Sequence, residues 1–235
     1  MGEPVVVIVE TPAGPGRVTM RMPSALDAPS DAGAFPAGGG PGVGRGLLVL
    51  GHGAGGQSWS KDVLAVREAA VRAGWAVALV DQPWRVAGRR VADRPPRLDE
   101  AWPSLVASAR DHAPGGVLVV GGRSAGARVA CRTHEQTGAD AVLCLSFPLH
   151  LPGKPQASRV SELARPVAAG VPVRVVQGAR DPFGTPDEVR GELAVTLSRE
   201  AADGLDLVEV PGTHTLTSPV RVATEVTTWL ATFSS

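Results

Sequence analysis

Short apolar runs recur along the chain, and most of them are continuous instead of alternating with polar residues. Continuous apolar runs are typical of strands buried on both faces, as in a parallel sheet covered by helices. The runs that predict strands are Val5–Val9, Val18–Met22, Leu47–Leu50, Ala76–Val80, Val117–Val120, Ala141–Leu145, Val173–Val176 and Leu205–Val210.

Segments with apolar residues at helical spacing separate the later runs. One face of Lys61–Ala73, for example, carries Val63 and Val66, a spacing that favours an amphipathic helix. The other segments with this spacing are Ser124–Gln136, Asp187–Ala201, Val220–Leu230 and Leu98–Asp111. We expect Pro103 to break or kink the last of these helices. From Leu47 onward strands and helices alternate, which is the pattern of an α/β fold.

The first two runs are joined by the turn-rich segment Thr11–Gly16 without a helix, so they are predicted to form an antiparallel hairpin. The glycine- and proline-rich segment Ala28–Gly46 is predicted to be a surface loop. Two strands before this loop are too few to fold alone. We therefore expect residues 1–235 to form one α/β domain, with a mostly parallel eight-stranded sheet and helices on both faces.

Composition narrows the class of protein. Hydrophobic residues make up 43% of the 235 positions, which is enough for a sizeable core. The 23 basic and 23 acidic residues cancel, so nothing predicts nucleic acid or an anionic membrane as a partner. The two cysteines form no CxxC motif and are expected to be buried hydrophobes. No signal-peptide pattern and no stretch near the roughly 20 apolar residues of a membrane span are visible, so we expect a cytoplasmic protein.

The strongest chemical motif is the pentapeptide Gly122–Gly126, which reads G-x-S-x-G. It directly follows the strand Val117–Val120 and directly precedes a predicted helix, which is the context of a nucleophile elbow. Ser124 is therefore predicted to be the nucleophile, and the alternative is a serine that only caps a helix.

A serine nucleophile needs a base and an orienting acid. In the α/β-hydrolase arrangement the order along the chain is Ser, Asp or Glu, then His. His214 follows the last predicted strand and Asp181 follows the preceding one, so both are expected at the sheet edge that carries Ser124. Weaker candidates for the acid are Asp187, Glu188 and Asp206.

The glycine-rich loop Gly51–Gly56 follows the third predicted strand. Two N–H donors are needed to bind the oxyanion of a tetrahedral intermediate, and we expect them from Ala54 in this loop and from Ala125 after the nucleophile. His52 is expected to be structural, hydrogen-bonded beneath the loop. Four further residues follow strands at the same edge and are predicted to contact substrate: Gln82, Trp84, Arg85 and His150.

The same loop supports a rival hypothesis. Gly51, Gly53 and Gly56 spell G-x-G-x-x-G between a strand and a helix, and Asp81 ends the next strand. This is the pattern of a dinucleotide-binding site. Against it, the motif lies on the third strand instead of the first, and it leaves the elbow, Asp181 and His214 without a role.

Several segments together resemble the α/β-hydrolase superfamily: HGAGG, GGRSAGAR, Cys144–Pro155, Val175–Gly184 and PGTHTL. From Leu47 to the C-terminus the chain is similar to the dienelactone-hydrolase-like branch, common in bacteria and related to a eukaryotic testis-expressed hydrolase-like protein and a chromatin-complex subunit. The resemblance implies an α/β-hydrolase fold with a minimal lid and a serine, aspartate and histidine triad. Ser124 stands where true dienelactone hydrolases have cysteine, which argues against dienelactone as the substrate.

These observations predict a serine hydrolase that cleaves a small ester or thioester through an acyl-enzyme. No metal and no cofactor are expected, and the expected partner is a small-molecule acyl substrate, with the protein a monomer or homodimer. The alternatives are a binding or scaffold protein with little turnover, or another acyl chemistry on the same triad, such as peptide cleavage or perhydrolysis.

Overall fold

The computed structural model describes residues 3–23, 45–55, 59–113 and 115–233. The strands are β1 (Val5–Val9), β2 (Gly16–Arg21), β3 (Gly46–Gly51), β4 (Ala76–Asp81), β5 (Val117–Arg123), β6 (Ala141–Leu145), β7 (Val173–Gly178) and β8 (Leu205–Val210). The helices are α1 (Lys61–Arg72), α2 (Pro83–Val86), α3 (Pro95–His112), α4 (Ala125–Thr137), α5 (Val160–Ala168), α6 (Pro186–Thr196), α7 (Arg199–Ala202) and α8 (Pro219–Ala231).

All eight strands form one sheet in the order β1-β2-β4-β3-β5-β6-β7-β8. β2 is antiparallel to both β1 and β4, whereas the strands from β3 to β8 are parallel to one another. The predicted mostly parallel sheet with an N-terminal antiparallel hairpin is therefore confirmed. Because parallel strands end at the same edge, the loops after β3, β5, β7 and β8 meet there.

Helices cover both faces of the sheet, as predicted. Alternate residues of each strand point to opposite faces, so in β3 Leu47 and Val49 join one core and Leu48 and Leu50 join the other. The first core includes buried residues of α3, α4, α5 and α6, and the second includes those of α1 and α8. This two-sided burial explains why the strand sequences are continuous apolar runs.

Pro103 does not break α3, which is helical from Pro95 to His112. A proline inside a helix removes one backbone hydrogen bond, but α3 buries a full apolar stripe that includes Leu98, Trp102 and Leu105. Of the predicted break or kink, the break is wrong, because the burial of this stripe outweighs the loss.

Two other helix predictions are corrected. The helix predicted at Asp187–Ala201 is interrupted, since Leu197 adopts an extended conformation and Ser198 caps the separate short helix α7. Helix α5 lies in a segment for which the sequence predicted no helix, and its Leu163, Ala164 and Val167 are buried against the core. Its Pro166 hides the helical pattern in the sequence.

The predicted loop Ala28–Gly46 lies outside the described residues except for Arg45 and Gly46, and Gly46 already belongs to β3. Among the helices described, none combines the length and the apolar character needed to cross a membrane.

Candidate active site

Ser124 occupies the sharp turn between β5 and α4. Its backbone has φ 54° and ψ −108°, a strained conformation for a residue with a side chain. Such strain costs on the order of 1–3 kcal/mol and persists only where the surroundings hold it. Here the Ser124 N–H donates to the carbonyl of Leu145 at 3.0 Å, and its carbonyl accepts from the N–H of Arg128 at 3.2 Å.

Two glycines make this turn possible. A Cβ atom at Gly122 would lie 2.3 Å from the carbonyl oxygen of Gly51, and one at Gly126 would lie 2.4 Å from the same oxygen. Gly122 also has φ 155°. Neither position accepts a side chain unless the backbone at the end of β3 moves. The G-x-S-x-G spacing thus reflects the close approach of the elbow to β3.

Ser124, His214 and Asp181 form an uninterrupted hydrogen-bonded row. Ser124 Oγ lies 2.9 Å from His214 Nε2, and His214 Nδ1 lies 2.9 Å from Asp181 Oδ2. A carboxylate at Nδ1 fixes the proton on that nitrogen and leaves Nε2 as the acceptor facing the hydroxyl. The arrangement can therefore transfer a proton from the serine hydroxyl to the imidazole.

The Asp181 carboxylate is only 1% exposed and is held by further donors. Its Oδ1 accepts from the N–H of Phe183 at 2.9 Å, and its Oδ2 accepts from Gln177 Nε2 at 3.0 Å. The Phe183 ring also packs over the His214 imidazole with ring centroids 4.2 Å apart. The carboxylate and the imidazole are thus both fixed in place before any substrate binds.

Gln177, at the end of β7, is a residue that sequence reasoning missed. It is fully buried, and its Oε1 accepts from the N–H of Phe147 at 2.9 Å. Its Nε2 lies within 3.1 Å of three acceptors, Asp181 Oδ2 and the carbonyls of Phe147 and Gly184. The available signal was an uncharged polar residue next to the apolar pair at the end of a predicted strand.

Arg123, the variable residue of the motif before Ser124, was also missed. Its guanidinium donates to the backbone carbonyl of His214 at 2.6 Å and lies 3.3 Å from the buried carboxylate of Asp62. The elbow and the loop that carries the histidine are therefore tied together directly. Arg123 acts on the site through backbone, which makes it a positioning residue.

His52 lies beneath the loop after β3 and is 6% exposed. Its Nδ1 lies 2.8 Å from the carbonyl of Gly53, and its Nε2 accepts from the N–H of Gln82 at 3.1 Å. The pKa of His52 is lowered from 6.5 to about 4, mainly by burial and to a smaller extent by the charge of Arg85, against the opposing effects of the Gly53 carbonyl and of Asp81. The imidazole is therefore neutral near pH 7 and serves as a structural link, as expected.

The residues expected to bind the oxyanion and the substrate fall into two groups. Ala54, Ala125, Gln82 and Trp84 all line one small cavity next to the elbow. Arg85 and His150 are not among the described residues that line it. The Arg85 guanidinium lies 3.2 Å from Asp81 and 5.0 Å from the centre of a Trp59 ring.

His150 and Asp81 contact protein groups away from the lining of this cavity. His150 Nδ1 lies 3.0 Å from the carbonyl of Leu151, and its Nε2 is 4.0 Å from Glu188. The Asp81 carboxylate also pairs with Arg17 at 2.6 Å. A carboxylate already shared between Arg17 and Arg85 is poorly placed to bind a ribose, which weighs against the dinucleotide hypothesis.

Within the described ranges, no group of three or more His, Cys, Asp or Glu side chains is arranged to hold a metal ion.

A family model described as an alpha/beta hydrolase domain matches residues 44–223. No curated protein matches the chain. Three similar solved structures are an α/β serine hydrolase without a lid from Xanthomonas campestris, Est1E from Butyrivibrio proteoclasticus and a dienelactone hydrolase from Anabaena variabilis.

The three structures have sequence identities of 17%, 16% and 17% and TM-scores of 0.68, 0.68 and 0.67, in the same order. The matches cover 99%, 97% and 98% of this chain and 94%, 98% and 98% of the respective neighbours. At these identities the likeness shows the fold alone. The likeness supports the resemblance to dienelactone-hydrolase-like proteins as a likeness of fold. None of these matches tests the expected relation to eukaryotic proteins.

Proposed function

The chain belongs to the alpha/beta hydrolase domain family, and from this premise we propose that it is a serine hydrolase that cleaves a small carboxylic ester or thioester. The observation that carries the proposal is the row from Ser124 Oγ through His214 to the buried Asp181, with both contacts at 2.9 Å. The residues proposed as nucleophile, base and orienting acid are thus within hydrogen-bonding distance of one another, which is the geometry that nucleophilic catalysis by serine requires.

In the first half of the proposed reaction, Ser124 Oγ attacks the acyl carbonyl carbon while its proton passes to His214 Nε2. The new bond joins Oγ to the carbonyl carbon, and the carbonyl electron pair moves onto oxygen. As the intermediate collapses, the bond to the leaving alcohol or thiol breaks and His214 returns the proton to it. Asp181 stabilises the charged imidazole throughout this half.

In the second half, His214 accepts a proton from a water molecule, whose oxygen attacks the acyl-enzyme. The ester bond to Ser124 then breaks, and the proton on His214 returns to Oγ. The carboxylic acid leaves and the enzyme is restored. The proposed oxyanion donors in both halves are the N–H groups of Ala54 and Ala125, because both residues line the cavity beside the elbow.

Labelling with a fluorophosphonate probe tests this proposal. The probe should form a covalent adduct at Ser124, located by peptide mass spectrometry. The Ser124→Ala variant should take up no probe, and His214→Ala should be labelled far more slowly. Ser158→Ala, which changes an exposed serine elsewhere on the surface, is the matched control and should be labelled at the rate of the parent protein.

A folded protein that remains unlabelled would contradict the proposal and favour the alternative of a binding or scaffold protein.

A further inference from the structure

The four-residue turn 181–184 brings both the proposed acid and an aromatic ring to the imidazole of His214. The N–H of Gly184 closes this turn by donating to the carbonyl of Asp181 at 3.1 Å. Gly184 has φ 131°, and a Cβ atom there would lie 2.6 Å from that of Leu149, so a side chain is excluded from this position. The turn therefore holds the Asp181 carboxylate and the backbone of Phe183 at a fixed spacing.

The Phe183 ring lies with its face toward the imidazole. The backbone of Phe183 is anchored at both ends, since its N–H donates to Asp181 Oδ1 at 2.9 Å and its carbonyl accepts from the N–H of His150 at 3.0 Å. The centroids of the Phe183 and His214 rings are 4.2 Å apart and their planes are 33° from parallel. This short distance and small tilt describe a stacked pair and not an edge-to-face pair.

The imidazole of His214 is largely shielded from water, because only 17% of the side chain is exposed. The neighbouring guanidinium of Arg123, which donates to the carbonyl of His214 at 2.6 Å, carries the same sign of charge as a protonated imidazole. That guanidinium is paired with Asp62 at 3.3 Å. A positive charge that develops on His214 must therefore be stabilised by the groups in direct contact with its ring, which are Asp181 and Phe183.

The face of a phenyl ring carries negative charge density, and it attracts a cation placed over it. The attraction grows as water is excluded from the pair. A neutral imidazole has no net charge, so it gains less from the same contact. The contact is thus stronger after His214 has accepted a proton than before, and only an interaction that strengthens toward the transition state raises the rate of the chemical step.

Resting on the proposed function, we propose that Phe183 is a positioning residue whose ring face stabilises the protonated form of His214 in both halves of the reaction. The proton reaches His214 Nε2 from Ser124 Oγ in the first half and from water in the second. The ring forms no bond and exchanges no proton. Asp181 supplies the larger part of the stabilisation as a full negative charge, and Phe183 adds a smaller part from the face of the imidazole.

Fluorinated rings test the proposal because fluorine withdraws charge from the ring face while the shape stays close to that of phenylalanine. The two replacements are Phe183→3,5-difluorophenylalanine and Phe183→pentafluorophenylalanine, and the latter reverses the sign of charge on the face. We expect kcat to fall stepwise, by about three- to thirtyfold in total for the pentafluoro variant. KM should stay within about twofold, since substrate binds while His214 is still neutral.

The substrate for these measurements is the acetyl thioester of N-acetylcysteamine, with the released thiol measured by a disulfide dye. Because His214 is protonated in both halves of the reaction, kcat reports the effect whichever half is slower. Phe183→Leu keeps an apolar contact but has no ring face, so its kcat should lie between those of the two fluorinated variants. Urea denaturation checks that each variant is folded.

The same two fluorinated residues at Phe233 are the matched control. Phe233 packs against Trp229 with ring centroids 5.1 Å apart, and it lies beyond the C-terminal end of α8. Fluorination there should leave kcat at the parental value. An equal loss at Phe233 and Phe183 would overturn the proposal, because the loss would then come from fluorination in general.

Two further results would overturn the role of Phe183. One is a kcat that stays constant along the fluorinated series. The other is a rise in KM at constant kcat, which would show that the ring contacts substrate instead of stabilising the imidazole. Fluorophosphonate labelling separates this inference from the proposed function: a parent protein labelled at Ser124 with a flat series refutes only the role of Phe183. A parent protein that is neither labelled nor active refutes the proposed function itself.

Discussion

The two sides of Ser124 differ in how completely their buried polar groups are paired. On the side of Asp181, both carboxylate oxygens accept hydrogen bonds, and both ends of the Gln177 amide are engaged. On the side of the cavity, Gln82 Oε1 and Trp102 Nε1 have no partner among the described residues. The buried polar atoms named on the first side all have hydrogen-bond partners within the protein, whereas the two named on the second side do not.

The physical meaning of this difference follows from the cost of burial. A carboxylate is stable in a dry interior only when donors surround it, so the acid–base side has to be complete before substrate arrives. An unpaired amide oxygen and indole N–H are tolerable where a ligand or a water molecule supplies the missing bonds. The paired network on the side of Asp181 therefore holds the proposed acid–base groups in place.

Asp181→Asn is the substitution that we expect to have the largest effect on the side of Asp181. The substitution keeps the shape but removes the charge that stabilises protonated His214, and an amide can present the wrong group to Nδ1. We expect kcat to fall by about 10³–10⁴-fold with KM changed little. Steady-state kinetics on a small thioester measures this. A loss below tenfold would show that Asp181 does not orient the base.

Gln177→Leu tests whether the paired network stabilises the fold. The change leaves the N–H and carbonyl of Phe147 and one oxygen of Asp181 short of a partner in a dry site. We expect the free energy of unfolding to fall by about 3 kcal/mol or more, measured by urea denaturation. Gln136→Leu is the matched control on the exposed end of α4, and its effect should stay within about 0.5 kcal/mol.

His52 gives a smaller, pH-dependent effect on the side of the cavity. Its pKa in the folded protein is about 4, lower than the ordinary value of 6.5. The unfolded chain therefore binds the proton first as the pH falls, so the contribution of His52 is complete above pH 6.5 and is lost progressively toward pH 4. The difference between the two pKa values corresponds to a contribution of about 3 kcal/mol at most to the free energy of unfolding.

His52→Gln isolates this contribution. The parent protein should be more stable than the variant near pH 7, and the gap should shrink as the pH falls to 4, because all other titrating groups are common to both proteins. Urea denaturation at several pH values measures the gap. A gap that is constant with pH would contradict the depressed pKa of His52.

Prediction from sequence worked where the signal is local. Each of Ser124, Asp181 and His214 lies within five residues after the end of a predicted strand, and the order along the chain matches the order that the fold requires. The parallel sheet then brings the ends of β5, β7 and β8 to one edge, and the structure places the three side chains within hydrogen-bonding distance. Their catalytic role stays a prediction until the labelling experiment is done.

Prediction failed where packing overrides a local signal. Pro103 is a strong helix breaker, yet α3 continues through it because the apolar stripe around Trp102 is buried. Pro166 likewise concealed α5, whose Leu163 and Val167 pack against the core. In both cases the energy that decides the outcome comes from residues distant in sequence.

The amino-acid sequence by itself determined the alternation of strands and helices, the elbow and the order of the three candidate catalytic residues. These depend on periodicity and spacing, which are properties of neighbouring positions. Only the tertiary structure decided that Gln177 and Arg123 hold the site and that Gln82 and Trp102 are left unpaired. A hydrogen-bond partner or a cavity wall exists only once segments 30 or more residues apart have packed together.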